Sequence, residues 1–236
     1  MKLIVMRHSE CEGLDEGIIN GWLDLKLTEE GIKKAKCAAD KLKPYVIDKA
    51  YSSYLSRAYD TAKYLLHALN QCVKVEQDIR LNERHYGAFQ GMKRKVAYSN
   101  PKYNTLSVSC DRLENELIPL SDEAYEKQLE EYSLKLGVDK DTLELPRSES
   151  ILQVEERIIE FLKDKIFISE NENKTVLVVG HANTVKLITK YIENLSYEET
   201  TELRFATCGM NIYDIKYNEI KMDVLNLQRI NEEYVN

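Results

Sequence analysis

Short apolar runs and helical spacings alternate along this chain. Lys2-Leu-Ile-Val-Met6 is an apolar run rich in strand formers and predicts a buried strand. A polar, glycine-containing stretch follows from Arg7 to Asp24. Thr28 reads as a helix N-cap, with Glu29 and Glu30 in the first turn. Ile32, Ala35, Ala38, Ala39 and Leu42 continue at helical spacing, and Pro44 is expected to end that helix. Lys49 to Ser52 predicts a second strand, and Leu55, Ala58, Tyr59, Ala62, Leu65, Leu66 and Leu69 an amphipathic helix. Val73 to Glu76 predicts another short strand, and Arg80 to Gly91 a polar loop. Residues from about 95 to 147 are mixed and highly charged, with a weak helical pattern around 122–135. They read as an insertion over the core rather than an independent domain. Ile151, Val154, Ile158, Phe161 and Leu162 mark the next helix. Thr175 to Val179 is the clearest buried strand; it runs into Gly180-His181-Ala-Asn-Thr184 and then a helix carrying Val185, Ile188 and Ile192. The tail, about 210 to 228, alternates as two more strands.

Strands alternating with helices predict an α/β fold with a mainly parallel sheet covered on both faces. Ligands of such sheets sit beyond the carboxyl ends of the strands. Two strand–loop junctions, after Met6 and after Val179, each place a histidine just past a strand end. With 236 residues the chain is long enough for one such domain spanning 1–236. No internal repeat at solenoid periods is visible.

Charge and cysteine usage narrow the function classes. The net charge of −7 argues against a general nucleic-acid or anionic-membrane surface, but not against a small basic pocket. Cys11, Cys37, Cys72, Cys110 and Cys208 are odd in number, and no two have Cys-x-x-Cys spacing. A reducing compartment, the cytoplasm, fits best. The apolar runs Leu3–Met6 and Val176–Val179 are too short for a signal-peptide core or a membrane span.

Of the four histidines, His67 sits inside an amphipathic helix and reads as structural. His8 and His181 have more telling neighbours. Arg7 precedes His8, and Arg57 lies near the start of the helix after the second strand. If these meet at the sheet's carboxyl edge, two guanidiniums and two imidazoles enclose one small volume. A phosphate dianion suits that volume, because a guanidinium fork matches phosphate oxygens and keeps its charge. Helix N-termini after the junctions add backbone donors. Neutral imidazole is a nucleophile near neutrality. His8 is the expected attacker, with Arg7, Arg57 and a protonated His181 holding the phosphoryl oxygens. Glu83, in the loop Arg80-Leu-Asn-Glu-Arg-His-Tyr-Gly87, is the candidate general acid. Negative charge nearby tightens a carboxyl's hold on its proton, which suits that role. His85 reads as structural or supporting, and Glu10 as a salt-bridge partner near Arg7. A metal site at His8, His181 and Glu83 is disfavoured, since adjacent arginines repel a divalent cation and the spacing fits no short zinc motif.

These residues, in order, resemble the histidine phosphatase superfamily and, within it, the cofactor-dependent phosphoglycerate mutases. The resemblance rests on Arg7-His8-Ser9-Glu10, Gly21-Trp22, Leu-Thr-Glu-Glu-Gly at 27–31, Tyr-Ser-Ser-Tyr-Leu-Ser-Arg-Ala at 51–58, Arg80 to Gly87 and Gly180-His181-Ala182-Asn183. It implies a mixed, mostly parallel sheet flanked by helices on both faces. It also implies His8 as the phosphorylated nucleophile and Arg7, Arg57 and His181 as the phosphate pocket, with Asn183 beside it. Glu83 becomes the proton donor and acceptor, and Tyr86 lines the substrate site. Asn20, Gly21, Arg94, Arg112 and Ala182 fall at substrate- or phosphate-binding positions. No metal or nucleotide is implied, only 2,3-bisphosphoglycerate as phosphate primer for a mutase. The partner implied is a small phosphorylated metabolite, and the family's dimers or tetramers make a homo-oligomer the expectation. The 95–147 insertion is implied to be a lid.

The departures concern the substrate shell. By the resemblance, the family's glycine after the nucleophile is Ser9, a serine is Cys11, a phosphate-contacting asparagine is Leu14 and a threonine is Asn20. A lysine falls at Arg94, flanked by Lys93 and Lys95; an arginine pair keeps Arg112 but has Leu113 as its second member; a glycine is Ala182. Each lost charge-assisted hydrogen bond costs about 1.5–3 kcal/mol. Three readings follow: a mutase, a phosphomonoesterase with the same centre, and a non-catalytic regulatory protein that keeps the fold.

Overall fold

The computed structural model describes residues 1–97, 99, 117–217 and 222–231. Six strands form one mixed sheet: β1 (Lys2–Arg7), β2 (Lys49–Ser52), β3 (Val75–Gln77), β4 (Thr175–Gly180), β5 (Met210–Tyr217) and β6 (Met222–Ile230), in the order β3-β2-β4-β1-β5-β6. The first four are parallel, and the β5–β6 hairpin adds antiparallel to β1. The expected fold class is what the chain adopts.

Both faces are covered because the strands are apolar on both. Leu3, Val5, Val176 and Val178 pack one way, against α5 (Ile151–Phe161) and α6 (Ala182–Glu193). Ile4, Met6, Leu177 and Val179 pack the other way, against α1 (Glu29–Ala38) and α2 (Ser56–Ala68). Alternation along a strand divides such a run between two layers. The β1–β4 register decides where the site forms: Lys2 stands opposite Thr175 and Arg7 opposite Gly180. His8 and His181 therefore leave neighbouring strands side by side, and the His8 N–H donates to the Gly180 carbonyl at 2.9 Å.

The helices start where their caps predict. Thr28 Oγ1 accepts from the Gly31 N–H at 2.9 Å, and Ser150 forms a capping box with Gln153 at the head of α5. The end of α1 departs from expectation. Helical geometry tightens to a 3-10 turn over Ala39–Leu42, so the α-helix stops well before Pro44. β3 starts two residues later than expected. The 80–91 loop contains 3-10 turns at Ile79–Leu81 and Gly87–Phe89, and Arg94–Ala97 is a single helical turn, α3. The weak pattern near 122–135 is a helix, α4 (Asp122–Leu136), capped by Ser121 and closed by Gly137 in the left-handed region at φ 67°. One helix escaped the sequence reading: α7 (Tyr197–Glu202). Its signal is short but legible, since Ser196 and Glu199 form a capping box. Part of the expected lid, including Arg112, lies outside the described residues.

Candidate active site

At the carboxyl edge of β1 and β4, a pocket of about 230 Å³ is lined by Arg7, His8, Asn20, Gly21, Arg57, Glu83, Tyr86, Arg94, Ala182 and Asn183. Leu14, Ile19 and Lys186 complete its wall. His181 lies directly behind, its ring centroid 5.1 Å from that of His8 with the planes tilted by 55°.

Hydrogen bonding defines the protonation of His8. Its Nδ1 lies 2.6 Å from the Ser9 carbonyl, which only accepts, so Nδ1 carries the proton. Nε2 then holds the lone pair. Burial first, and then the charges of Arg57 and Arg7, push the His8 pKa well below its ordinary value. His8 is thus a neutral imidazole whose Nε2 lone pair is available. Ser9 holds this arrangement firmly: its N–H donates to Thr61 Oγ1 at 2.9 Å, and its hydroxyl donates to the Gly31 carbonyl at 2.6 Å. Ser9 is therefore accommodated where the resemblance expects glycine. Gly31 itself is required, because a Cβ there would meet the Glu10 carbonyl oxygen at 2.0 Å.

His181 is oriented by Ser53. The Ser53 hydroxyl lies 2.8 Å from His181 Nε2 and accepts from the Leu55 N–H at 3.2 Å. If the hydroxyl gives its own proton to Nε2, the imidazole proton sits on Nδ1. The expected protonated His181 is not what the pocket by itself favours. Burial and Arg57 drive its pKa well below the ordinary value, so it is neutral. Only a bound anion reverses the sign of that field.

Arg57 is buried and Arg7 half-buried, and neither has an ionic partner among the described residues. Arg57 is 1% exposed; its two terminal nitrogens donate to the Leu23 and Gly21 carbonyls, both at 2.7 Å. Arg7 donates to the Phe205 carbonyl at 2.6 Å. Neither forms a salt bridge among the described residues. Arg7 Nε, Arg57 Nε and His181 Nδ1 are buried and have no hydrogen-bond partner there. Buried charge and unmet donors are costly unless a ligand meets them. Arg7 and Arg57 both line the pocket, so an anion bound there would compensate their charge.

Glu83 sits at the opposite wall. Its Oε1 accepts from the Arg84 N–H at 2.8 Å and from Asn183 Nδ2 at 2.9 Å; Asn183 Nδ2 also donates to the Tyr86 hydroxyl at 2.8 Å. The loop carrying Glu83 is pinned from behind. Trp22 Nε1 donates to the Glu83 carbonyl at 2.6 Å, and Arg157 donates to the carbonyls of Arg80, Asn82 and Glu83 while pairing with Glu149.

The histidine phosphatase superfamily (branch 1) family model matches residues 3–114 and 119–228. The chain belongs to the histidine phosphatase superfamily. A similar curated relative is the 2,3-bisphosphoglycerate-dependent phosphoglycerate mutase of Parabacteroides distasonis, 33% identical over 215 residues, which are 90% of this chain and 86% of the relative. Among solved structures, the phosphoglycerate mutase of Bacillus anthracis superposes with a TM-score of 0.69 at 22% identity, covering 98% of this chain and 93% of that one. The phosphoserine phosphatase of Entamoeba histolytica, in complex with 3-phosphoglyceric acid, gives a TM-score of 0.68 at 21% identity, covering 99% and 98%. At these identities the two structures establish the fold.

Within this superfamily fold, the topology brings together His8, Arg7, Arg57, His181, Glu83 and Asn183 as expected. Asn20, Gly21, Tyr86, Arg94 and Ala182 also line the pocket, with Arg94 exposed at its mouth. Arg112 and Leu113 lie outside the described residues. Asn20 Nδ2 reaches Cys11 Sγ at 3.5 Å. Gly21 needs its missing side chain: at φ +47°, a Cβ would meet the Gln90 side-chain oxygen at 2.2 Å. The N-terminus of α6 opens onto the pocket. The Ser56 N–H at the head of α2 is already taken by Asp24 at 2.7 Å, and no helix follows β1 directly. Glu10 pairs with Lys34 at 2.6 Å rather than with Arg7. His85 is fully buried and supports the loop, through Gln128 at 2.6 Å and the Gly87 N–H at 3.0 Å. His67 is exposed on α2. Among the described residues, no group of three or more His, Cys, Asp or Glu side chains is arranged to hold a metal ion, and no helix is long and apolar enough to cross a membrane.

Ile19, Ser53, Arg157 and Lys186 were not foreseen as parts of the site. Ser53 and Arg157 act through backbone and side-chain contacts that no spacing announces. Lys186 did leave a signal: it lies three and four residues after Asn183 and Ala182, on the same face of α6.

The buried imidazoles make stability depend on pH. His8 and His181 are held neutral when folded, and burial moves His85 the same way. In the unfolded chain each binds a proton near pH 6.5. Above that value stability is full. Below it the unfolded chain takes up protons that the folded chain refuses, and stability falls by about 1.4 kcal/mol per pH unit for each such group. Urea midpoints measured between pH 7 and pH 5.5 are expected to drop accordingly; midpoints constant over that range would contradict the neutral assignment.

Proposed function

We propose that this chain is a phosphoglycerate mutase, interconverting 3-phosphoglycerate and 2-phosphoglycerate through phosphohistidine on His8. The observation that carries the reading is Arg57, a fully buried guanidinium with an unmet Nε–H and no carboxylate partner among the described residues. It stands in the same pocket as a neutral His8 whose Nδ1 proton is committed to Ser9. In this reading His8 Nε2 attacks phosphorus while the bond to the departing oxygen breaks in line. Arg7, Arg57 and His181 hold the phosphoryl oxygens, and the α6 N-terminus with Asn183 adds donors. Glu83 gives its proton to the departing oxygen and takes one from the hydroxyl that later attacks phosphohistidine. 2,3-Bisphosphoglycerate, when bound, supplies the phosphoryl group that primes His8. The same Arg7, Arg57, His181 and Asn183 would hold it. The curated relative's name supports this choice of substrate and primer.

The wider reading is of one domain over 1–236, with the segment at about 95–147 closing over the pocket to keep water from phosphohistidine. It acts on a small phosphorylated metabolite in the cytoplasm as a homodimer or tetramer, with no metal or nucleotide and no nucleic-acid or membrane partner.

A second reading has one specific support. Leu14 lines the pocket where the resembled mutases carry an asparagine, so that wall offers no donor to retain a bisphosphorylated intermediate. Weak retention lets water reach phosphohistidine, which makes a phosphomonoesterase. Purified protein incubated with 3-phosphoglycerate, with and without catalytic 2,3-bisphosphoglycerate, separates the two. The mutase reading expects primer-dependent 2-phosphoglycerate without net phosphate release. Phosphate release alone would overturn it in favour of the phosphomonoesterase.

A further inference from the structure

The pocket lining holds two cations that the chemistry above does not use, Arg94 at its mouth and the half-buried Lys186. Lys186, the fifth residue of α6, lines the same pocket as Arg7, Arg94 and Asn183. It is half-buried and close enough to Glu83 and Arg7 to feel both charges. Its ammonium makes one hydrogen bond among the described residues, to the Thr201 carbonyl at 3.2 Å, and no salt bridge there. An ammonium has three protons to give. The Thr201 contact holds the side chain without neutralising it. The same short segment also holds Arg7, through the Phe205 carbonyl, so one stretch of backbone sets the spacing of the two cations.

We infer that Lys186 is the specificity residue that binds the substrate's carboxylate, the anionic group remote from the phosphoryl group at His8. This rests on the phosphoglycerate reading above. Three observations favour it. Lys186 lies about one helical turn along α6 from Asn183, so it faces the pocket away from the helix N-terminus that serves the phosphate. The phosphate end already has two guanidiniums and two imidazoles for one dianion, whereas Lys186 offers a single point charge, which matches a monoanion. Burial, with Arg204 nearby, pushes its pKa down to about 8, so its charge is poorly compensated and an incoming carboxylate relieves that cost. The apolar Leu14 and Ile19 add no donor to the wall, and Arg94, its other cation outside the phosphate end, is exposed at the mouth. The expected arginine pair keeps Arg112, but Leu113 at its second position offers no charge to a carboxylate.

The test compares two phosphate esters that differ at one group. Glycerol 3-phosphate carries a hydroxymethyl group where 3-phosphoglycerate carries its carboxylate. Phosphate release and phosphoryl transfer to His8 are measured with both, for the wild type and for Lys186→Met. The ratio of kcat/KM for 3-phosphoglycerate over glycerol 3-phosphate is expected to fall about ten- to a hundredfold, the usual effect of losing a charge-assisted hydrogen bond. The loss is expected in KM for 3-phosphoglycerate, with kcat changed by less than about threefold. Lys186→Arg is expected to restore most of the ratio. An unchanged ratio, or equal losses on both esters, would overturn the inference and leave Lys186 as part of the pocket wall. If Lys186→Met does not fold, Lys186→Gln gives the same comparison. The ratio is defined whether 3-phosphoglycerate is isomerised or only hydrolysed, so failure of the mutase reading and failure of this inference are separate results.

Discussion

His8→Ala is expected to lower turnover of any phosphomonoester by on the order of 10⁴-fold or more, the scale seen when a covalent nucleophile is removed. The wild type, exposed to 2,3-bisphosphoglycerate and quenched in alkali, is expected to retain phosphate that acid then releases. The variant is expected to retain none. Its fold should survive. His8 makes one side-chain hydrogen bond, to the adjacent Ser9 carbonyl, and its removal relieves a buried imidazole set among cations. Binding of inorganic phosphate should also survive, because Arg7, Arg57 and His181 remain. Loss of turnover with phosphate binding retained identifies His8 as the nucleophile. Substantial turnover in the variant would move the chemistry to another residue.

Glu83→Gln carries the second large effect. Glutamine fits the site: its oxygen can take the place of Oε1, which accepts from Arg84 and Asn183, while the Oε2 position has only a long 3.5 Å contact from the Asn183 N–H. What is lost is the proton. Transfer from an alkyl ester such as 3-phosphoglycerate is expected to slow by about 10²–10⁴-fold, the usual worth of a positioned general acid. Transfer from 4-nitrophenyl phosphate, whose leaving group departs without a proton, should slow far less, by under about tenfold. Rapid-quench measurement of His8 phosphorylation with both donors distinguishes the cases. Equal losses would mean that Glu83 organises the pocket through Asn183 and Tyr86 and moves no proton.

Much of this molecule is readable along the chain because its signals are local. Runs such as Leu3–Met6 and Val176–Val179 are apolar on both faces, and only a strand between two helical layers buries both. Caps at Thr28, Ser121 and Ser150 sit where short-range hydrogen bonds fix a helix start. The candidates Arg7, His8, Arg57, Glu83 and His181 stand out because each follows a strand end or opens a helix or loop. The readings that went astray depended on distant groups. Glu10 was expected near Arg7 and pairs instead with Lys34 on α1. His181 was expected charged around a bound phosphoryl group, and in the pocket by itself burial beside Arg57 keeps it neutral. A helix N-terminus just after the Met6 junction was expected to serve phosphate, but no helix follows β1 directly and α1 begins only at Glu29.

Element types, the two histidine-bearing junctions and the residue types suited to phosphate were settled by sequence alone, since periodicity and side-chain chemistry are properties of neighbours along the chain. Adjacency was not. Arg7 meets Gly180 because β1 and β4 pair in parallel at one register, and a slip of a single residue would shift His8 by about 3.3 Å and turn the strand's faces over. That register, the Ser53 bond that orients His181 and the Thr201 contact that holds Lys186 link residues far apart in the chain. Only the packed tertiary structure, in which burial sets both neighbours and charge, decides them.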